Sequence, residues 1–369
     1  MRILFDHQAF SLHNHGGVTR YFSELIDGIN QTPDNDAYLP LLFSNNIHLK
    51  EKGFDTNEFL TNYDFGKKIR LIYEMNKLYT KPLLKKKQYD VLHPTYFDPY
   101  FIPYIDKKPL VITFHDMIHE KFSHQFSELT LDRGIIGRKR QLAHQADRII
   151  AVSESTKRDV VELLNVDPAK VEVIYHGSSF ADSSDKPTDE SFIESGPYLL
   201  YVGSRKVYKN FDGLLSAIHP VLKQYNLRLL CAGGGEFTNA EKSQLHSFGI
   251  THLVEQRSID DQVLHGLYKQ AVAFVFPSLY EGFGLPILEA FDCNCPCIIS
   301  KSSSLPEVAG EAALYVDFDD PDSLTDAVER VLHDTLMRQW LILKGREQLA
   351  KFSWQNTVEK TLKVYESLV

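Results

Sequence analysis

The sequence predicts an α/β protein made of two tandem units, each a mostly parallel β-sheet wrapped by helices. Short apolar runs alternate with helical patterns along the whole chain, which is typical of βαβ units. At 369 residues the chain has the length of two domains of about 180 residues each. The predicted strands are 3–6, 39–44, 91–94, 110–115, 149–153 and 171–176 in the first half, and 198–202, 227–232, 253–256, 272–276, 297–300 and 314–316 in the second.

Composition narrows the class of protein. An apolar content of 43% and a charged content of 24% are those of an ordinary globular protein, and the net charge of −9 argues against a general nucleic-acid binder. No run reaches the roughly 18 apolar residues of a membrane span. Met1 leads directly into a predicted strand, without the apolar segment of a signal peptide, so we expect a cytoplasmic protein.

Two patterns that mimic metal sites have simpler explanations. Cys293, Cys295 and Cys297 lack C-x2-C spacing, and we expect small buried residues leading into a strand. Asp317-Phe-Asp319 precedes Pro321, so a turn and a helix cap explain it better than a metal. We therefore predict no metal site.

Residues 178–190 are rich in Ser and Asp and have no apolar period, which indicates a linker. The predicted organisation is a first domain at 1–182, a linker at 183–196, a second domain at 197–352 and a terminal helix at 353–369. Ser353 is the N-cap candidate of that helix, and its apolar residues Val358, Leu362 and Tyr365 have helical spacing.

The most informative stretch is 276–291, FPSLYEGFGLPILEAF. Gly282 and Gly284 allow a sharp turn that leaves backbone amides uncovered, and Pro286 suits the first turn of a helix. The amides and the positive end of a helix suit a diphosphate, while Glu281 and Glu289 suit hydroxyl groups. A nucleotide sugar carries both kinds of group.

The motif Glu281-x7-Glu289 within PSLYEGFGLPILEA resembles the signature of the retaining glycosyltransferases of family 4. The resemblance is strong from Tyr198 to about Asp320 and covers the first half in patches. It implies the GT-B fold, in which two Rossmann-like domains face each other across a cleft and the C-terminal helix crosses back to the first domain. It also implies catalysis with neither a metal nor a cofactor.

By this resemblance the second domain holds the donor. Arg205 and Lys209 would carry the leaving diphosphate, with Lys206 as the alternative to Lys209. Glu281 and the amides of the next turn would hold the sugar hydroxyls and the phosphate, and Glu289 would accept hydrogen bonds from the ribose. The donor-binding residues it implies are Gly16, Gly17, Ser204, Gly234, Phe283, Gly284, Leu285 and Glu289.

In the first domain, Gly16 and Gly17 lie at a strand-to-helix turn, which suits either a phosphate or a plain loop. The resemblance makes His115, at the end of strand 110–115, the main catalytic candidate of this domain, near the reacting sugar carbon. Asp116 would orient His115 or bind acceptor hydroxyls, and His15 is the second acceptor candidate.

Residues 67–87 combine many lysines with apolar residues at helical spacing. One interpretation is a basic amphipathic surface that rests on anionic lipid at the inner face of the membrane. The other, which we favour, is a solvated helix whose apolar face packs on the first domain.

The sequence thus predicts a retaining, metal-independent glycosyltransferase that moves a hexose from a nucleotide sugar to a glycan or lipid-linked glycan in polysaccharide synthesis. The Phe114-His115-Asp116 stretch and the sequence overall resemble bacterial mannosyltransferases of surface-polysaccharide synthesis. GDP-mannose is therefore the first donor candidate and a UDP-sugar the second. The alternative from another class is a non-catalytic nucleotide-sugar-binding protein. A nicotinamide-dependent dehydrogenase would need G-x-G-x-x-G after a strand, which neither glycine turn supplies.

Overall fold

The structure, a computed structural model, describes residues 1–60, 63, 65–130, 132, 134–178, 196–258 and 261–369. The chain divides into two units. The first contains Met1–Gly177 and Ser353–Val369, and the second contains Ser178–Phe352. The predicted linker at 183–196 lies outside the described residues except for Gly196.

The first unit is built on parallel strands in the order β2-β1-β3-β4-β5-β6. A parallel bridge between Leu92 and Leu110 joins the sheet β2-β1-β3 to the sheet β4-β5-β6. The strands are β1 (Arg2–Phe5), β2 (Asp36–Tyr38), β3 (Val91–His93), β4 (Val111–Phe114), β5 (Arg148–Ala151) and β6 (Val171–Val173). The helices are α1 (Gln8–Leu12), α2 (Gly17–Asn30), α3 (Ile47–Glu51), α4 (Lys68–Lys86), α5 (Ile102–Ile105), α6 (Ile118–Phe122), α7 (Ile135–Gln145) and α8 (Glu154–Leu164). Strand order reverses between β1 and β3.

The prediction of a strand at 39–44 is wrong. The strand is β2, which lies just before this segment and pairs with β1 through Asp36, Ala37 and Tyr38. Pro40 has no N–H to give to a ladder. The amides of Leu42 and Phe43 instead donate to Oδ1 of Asn76, at 2.8 and 3.0 Å.

The second unit is a single parallel sheet with the strand order β12-β11-β10-β7-β8-β9, which reverses between β7 and β10. Its strands are β7 (Tyr198–Val202), β8 (Arg228–Ala232), β9 (Val254–Arg257), β10 (Ala273–Phe276), β11 (Cys297–Ser300) and β12 (Ala313–Val316). Its helices are α9 (Phe211–Tyr225), α10 (Asn239–Ser247), α11 (Asp261–Gln270), α12 (Leu285–Asp292), α13 (Leu305–Ala309), α14 (Pro321–His333) and α15 (Thr335–Leu349).

Apolar side chains fill the core of this second sheet. Leu199, Val275 and Ile298, from three neighbouring strands, have no exposed surface. Every cysteine is a free, buried thiol, as expected for small residues beside a strand. The Asp317–Asp319 segment forms a turn in which the amide of Asp319 donates to Oδ1 of Asp317.

The C-terminal helix α16 (Trp354–Glu366) belongs to the first unit, as the fold prediction requires. Ser353 caps it by accepting a hydrogen bond from the amide of Asn356 at 3.1 Å. Val358 and Leu362 join the apolar core beside α2. Tyr365 is fully buried, and its hydroxyl lies 2.6 Å from Nδ1 of His93. The helix is therefore part of the interior of the first unit.

Candidate active site

Two predicted site residues of the second unit meet where β7 and β10 end. Lys209 Nζ lies 2.5 Å from Glu281 Oε1, and only 14% and 13% of these side chains are exposed. The ammonium also lies 5.3 Å from the ring centroid of Phe276, the last residue of β10. Ligands of open α/β sheets bind at such a reversal of strand order, beyond the carboxyl ends of the strands. Lys206, the alternative cation, is exposed.

The turn after Glu281 begins helix α12 as the sequence predicts. Gly284 has φ of +106°, and a Cβ there would lie 2.9 Å from Leu305. The hydroxyl of Ser304 donates to the carbonyls of Glu281 and Phe283, at 3.0 and 2.8 Å, which fixes the turn. Leu285 is the first residue of the helix, so the positive end of the helix dipole lies beside the Lys209–Glu281 pair.

Glu289 lies one helical turn beyond Leu285 and is 9% exposed. Its Oε2 accepts a hydrogen bond from the hydroxyl of Tyr268 at 3.2 Å. Two carboxylates therefore flank the start of α12, as the sequence spacing indicates.

Arg205 has a richer set of partners than the sequence suggests. Its Nε donates to Oε1 of Glu241 at 2.6 Å, and its terminal nitrogens donate to the carbonyls of Gly233, Gly235 and Glu236 at 3.2, 2.9 and 2.9 Å. Its side chain is 4% exposed. The guanidinium thus ties the end of β7 to the glycine turn after β8, and its role toward phosphate stays a prediction.

Sequence reasoning missed Glu241, the partner of Arg205. Burial opposes its ionisation, but hydrogen bonds from Arg205 and Thr238 hold its pKa below the usual value. The signal was present as a capping box, because Thr238 and Glu241 have the spacing of reciprocal N-terminal caps.

The glycine turn after β8 requires its glycines. Gly233, Gly234 and Gly235 have φ of +84°, +75° and +75°. A Cβ on Gly234 would lie 2.8 Å from the carbonyl of Gly203, with no room to shift. The backbone of Ser204 is fixed as well, since its carbonyl accepts the hydroxyl of Tyr201 at 2.7 Å.

In the first unit, His115 follows β4 and stacks parallel to His176, with ring centroids 5.9 Å apart. Tyr21 packs edge-on against it at 5.0 Å. Burial lowers the pKa of His115 to about 4, so the imidazole is neutral near pH 7. Its Nε2 is buried and has no hydrogen-bond partner in the described part of the chain.

A buried lysine that sequence analysis missed holds the loop after His115. Lys139 is 2% exposed and donates to the carbonyl of Asp116 at 2.9 Å and to Oε2 of Glu120 at 3.1 Å. Burial opposes ionisation of Asp116, but Lys139 and the amide of Ile118 hold the pKa of its carboxyl below the usual value.

The remaining candidates of the first unit lie at the start of α2. The prediction of a strand-to-helix turn at Gly16 and Gly17 is wrong, because helix α1 follows β1 and the glycines lie between α1 and α2. Gly16 has φ of +128°, and its carbonyl accepts the hydroxyl of Thr19 at 3.0 Å. Gly17 is the first residue of α2. His15 is exposed in the preceding loop, and no described hydrogen bond or ion pair joins it to Asp116.

Helix α4 has a packed face and a second, exposed apolar face. Ile72, Asn76, Thr80 and Leu84 are buried against the unit, which agrees with the interpretation we favoured from sequence. The exposed apolar residues of the helix, 42–66% accessible, are Ile69, Leu71, Leu78 and Tyr79. In the ranges that the structure covers, no helix is both long and apolar enough to cross a bilayer.

Known proteins match both halves of the chain. Residues 182–348 match the model of glycosyl transferases group 1, and residues 53–179 match that of glycosyltransferase family 4. O-antigen chain mannosyltransferase B of Escherichia coli is 30% identical over 280 residues, or 70% of each chain. An uncharacterized glycosyltransferase of Methanocaldococcus jannaschii is 27% identical over 307 residues, or 77% of each chain.

Solved structures share the fold at low sequence identity. HepE of Anabaena, in complex with UDP and glucose, matches with a TM-score of 0.78 and 16% identity over 100% of both chains. Sucrose-phosphate synthase of Thermosynechococcus elongatus matches with a TM-score of 0.77 and 19% identity over 100% of this chain and 98% of that one.

The fold and the family matches define a glycosyltransferase of the GT-B fold, with two Rossmann-like units. Within that class, the chain belongs to the glycosyl transferases of group 1, family 4. The predictions of the family, the fold and the enzyme class are thereby confirmed.

Proposed function

We propose that this glycosyltransferase moves a hexose from a nucleotide sugar to a glycan or lipid-linked glycan in polysaccharide synthesis. Mannose from GDP-mannose is the first candidate, and transfer retains the anomeric configuration without a metal. The observation that carries the proposal is the Lys209–Glu281 pair, 2.5 Å apart where strand order reverses. The choice of mannose is supported by similarity to O-antigen chain mannosyltransferases of Escherichia coli and Salmonella typhimurium.

Each member of the pair matches one part of the donor. Lys209 neutralises the negative charge that grows on the diphosphate as it leaves, which lowers the barrier most in a site shielded from water. Glu281 accepts hydrogen bonds from the sugar hydroxyls. Amides at the start of α12, from Phe283, Gly284 and Leu285, face the phosphate, and Glu289 accepts hydrogen bonds from the ribose.

The glycine turn after β8 receives the nucleoside in this proposal. Without side chains, Gly233 and Gly234 let a flat base or ribose approach the backbone. Arg205 holds the turn in shape through its three carbonyl contacts and adds positive charge near the diphosphate. Ser204 lies at the end of β7, beside Arg205, and contributes to the same donor site.

The first unit contributes His115, whose neutral imidazole contacts the reacting sugar without placing another positive charge there. Asp116 and His15 are the candidates for contacts with acceptor hydroxyls, and the turn at Gly16 and Gly17 faces the donor. Retention of configuration is proposed from the family resemblance, with attack on the same face that the diphosphate leaves.

The test is calorimetric binding and slow hydrolysis of GDP-mannose and of UDP-, ADP- and dTDP-linked sugars, each with and without a chelator. We expect GDP-mannose to bind and be hydrolysed equally with chelator, and proton NMR of the transfer product to show the anomeric configuration of the donor. Tight binding of a UDP-sugar instead would replace the donor assignment. Binding without hydrolysis or transfer would favour the non-catalytic alternative, and dependence on added metal would overturn the metal-free mechanism.

We also propose that the exposed face of α4 makes peripheral contact with anionic lipid at the inner face of the membrane. Leu78 is 66% exposed and Leu71 42%, on a helix that carries many lysines. The double variant Leu71→Ser with Leu78→Ser should lose sedimentation with phosphatidylglycerol vesicles. The control replaces Leu336 and Leu343 by Ser, which are 78% and 55% exposed in the second unit. Equal sedimentation of both variants would refute the contact.

A further inference from the structure

The first unit contains a cavity of about 560 Å³ that has no role in the proposed function so far. Gln8 follows β1, Tyr96 and Asp98 follow β3, and all three line the cavity. β1 and β3 are the strands at which the order of the first sheet reverses. The cavity therefore has the same place in the first unit that the Lys209–Glu281 pair has in the second, and such places bind ligands in open α/β sheets.

The wall of the cavity is held rigid by hydrogen bonds. The hydroxyl of Tyr73, on α4, donates to Oδ2 of Asp98 at 2.7 Å, and Lys77 donates to the same oxygen at 2.9 Å. Gln8 clamps the backbone of Asp98, since its amide nitrogen donates to the carbonyl at 3.0 Å and its oxygen accepts from the amide at 2.7 Å. His7 packs edge-on against Tyr73 at 4.9 Å. A wall that is ordered before the ligand arrives loses little entropy on binding.

The charges of the lining are compensated except at one point. Asp98 pairs with Lys77, and Arg138 pairs with Asp132. Arg70, on the same helix as Tyr73, is exposed and has no ion-pair partner in the described ranges. A ligand that matches this lining is mostly neutral and carries one anionic group beside Arg70.

The remaining chemistry of the lining suits a sugar. The rings of Tyr73 and Tyr96 offer apolar surface with polar edges, and Asp98 keeps acceptor capacity for hydroxyl groups. Guanidinium groups bind phosphate oxygens in a planar, two-pronged geometry. A few fixed polar groups among aromatic walls are typical of specific small-ligand sites.

We infer that this cavity is the acceptor site and that it takes a glycosyl phosphate, with the sugar against Tyr73 and Tyr96 and the phosphate on Arg70. The inference rests on the proposed function and deepens it by naming the acceptor class. Ile69, beside Arg70, lines the cavity and is also 52% exposed, so apolar surface next to the phosphate position is open to a lipid chain. The phosphate thus belongs either to a free sugar phosphate or to a lipid-linked one.

The experiment measures calorimetric binding in saturating GDP, which occupies the donor site. The probes are decyl phosphodiesters of mannose, galactose and N-acetylglucosamine, the same sugar 1-phosphates without the decyl chain, and the decyl glycosides without phosphate. Arg70→Gln should weaken the best phosphodiester at least tenfold and leave its decyl glycoside unchanged. Tyr73→Ala should weaken both, and Tyr73→Phe, which keeps the ring, less so. Arg158→Gln, an equal loss of charge at an exposed site of the same unit, should change neither.

The outcomes separate this inference from the proposed function. If GDP fails to bind the unaltered protein, the proposed donor assignment fails. If GDP binds but no probe does, or if Arg70→Gln and Tyr73→Ala bind the probes as Arg158→Gln does, the acceptor site is refuted alone. Much tighter binding of the decyl phosphodiester than of the sugar 1-phosphate identifies a lipid-linked acceptor, and equal binding identifies a free sugar phosphate.

Discussion

The two units have parallel sheets of related topology, yet they place their ionisable groups differently. The first unit buries Asp6, His7, His93 and Lys139 within 2% of full burial, along its strand ends and the helices behind them. In the second unit the charged groups of the site form ion pairs at the rim of the sheet, Lys209 with Glu281 and Arg205 with Glu241.

The two units can therefore supply different things to a reaction. A buried, neutral histidine gives hydrogen bonds and shape, whereas a largely buried ion pair gives charge that a diphosphate can use. The first unit is therefore suited to positioning a polyhydroxyl acceptor, and the second to stabilising a leaving group. Four experiments test this contrast.

The first unit should be the more acid-labile of the two. Burial lowers the pKa of His7 and His93 to about 3 and that of His115 to about 4, below the ordinary value of 6.5. Below pH 6.5 these residues take up protons when the unit unfolds. The free energy of unfolding is therefore highest above pH 6.5 with respect to these groups, and it decreases as the pH falls. Burial raises the pKa of Asp6 to about 6, which acts in the opposite direction. Burial also lowers the pKa of His119 and His176 and raises that of Glu24, so the histidine shifts outnumber the carboxyl shifts. His7, His93, His115 and Asp6 together reduce the free energy of unfolding by on the order of 4 kcal/mol between pH 7 and pH 5.

Hydrogen exchange by mass spectrometry between pH 7 and pH 4 resolves the two units peptide by peptide. As the pH is lowered, peptides of the first unit should lose protection at a higher pH than peptides of the second unit. His93→Gln should flatten that dependence, whereas His246→Gln, at an exposed site of the second unit, should leave it unchanged. Simultaneous loss of protection in both units would contradict the contrast.

Replacing Lys139 by Met should destabilise the first unit by about 3 kcal/mol, because it leaves the buried carboxylate of Glu120 and the partly exposed one of Asp116 without their cation. Urea unfolding followed by fluorescence measures the loss. Lys360→Met, at an exposed site of α16, is the matched control and should cost almost nothing. A stability equal to that of the control would show that Lys139 is dispensable to the loop after His115.

Replacing Glu281 by Ala should reduce turnover about a hundredfold, or roughly 2.7 kcal/mol, since the sugar hydroxyls lose an acceptor and Lys209 loses its partner. Steady-state transfer with the donor identified by the binding panel measures the effect. Glu311→Ala removes an equally charged, exposed side chain of the same unit and should retain turnover. Near-normal turnover of the Glu281 variant would remove this residue from the site.

Replacing Gly234 by Ala should destabilise the second unit by about 1–2 kcal/mol, the usual cost of a side chain at positive φ. The clash with the carbonyl of Gly203 should also deform the turn and weaken GDP binding. Gly137→Ala, in helix α7 with open space around it, should instead be neutral or slightly stabilising. Equal GDP affinity and melting temperature in both variants would refute a need for glycine at 234.

Local signals predicted the second unit better than the first. Glycine and proline within one stretch were enough to predict a strand that ends at Phe276 and a turn at Gly284 that begins the helix containing Glu289. Glycine turns and helix caps depend on near neighbours, which the sequence displays directly.

The missed features depend on distant partners. Lys139 meets Asp116 across 23 residues and Arg205 meets Glu241 across 36, so neither pairing is visible in the sequence. The strand at 39–44 was misplaced for a similar reason, since the contacts of that segment with Asn76 lie 33 and 34 residues away. The role of a charged side chain is set by burial, and burial is a property of the whole fold.

Helix α16 has a consequence for the order in which the chain is made. His93 and Tyr365, which hydrogen-bond in the interior of the first unit, are separated by 272 residues. During synthesis, the whole second unit leaves the ribosome before Tyr365 does. The second unit can therefore complete its core first, whereas the core of the first unit is complete only after Val358, Leu362 and Tyr365 have been made.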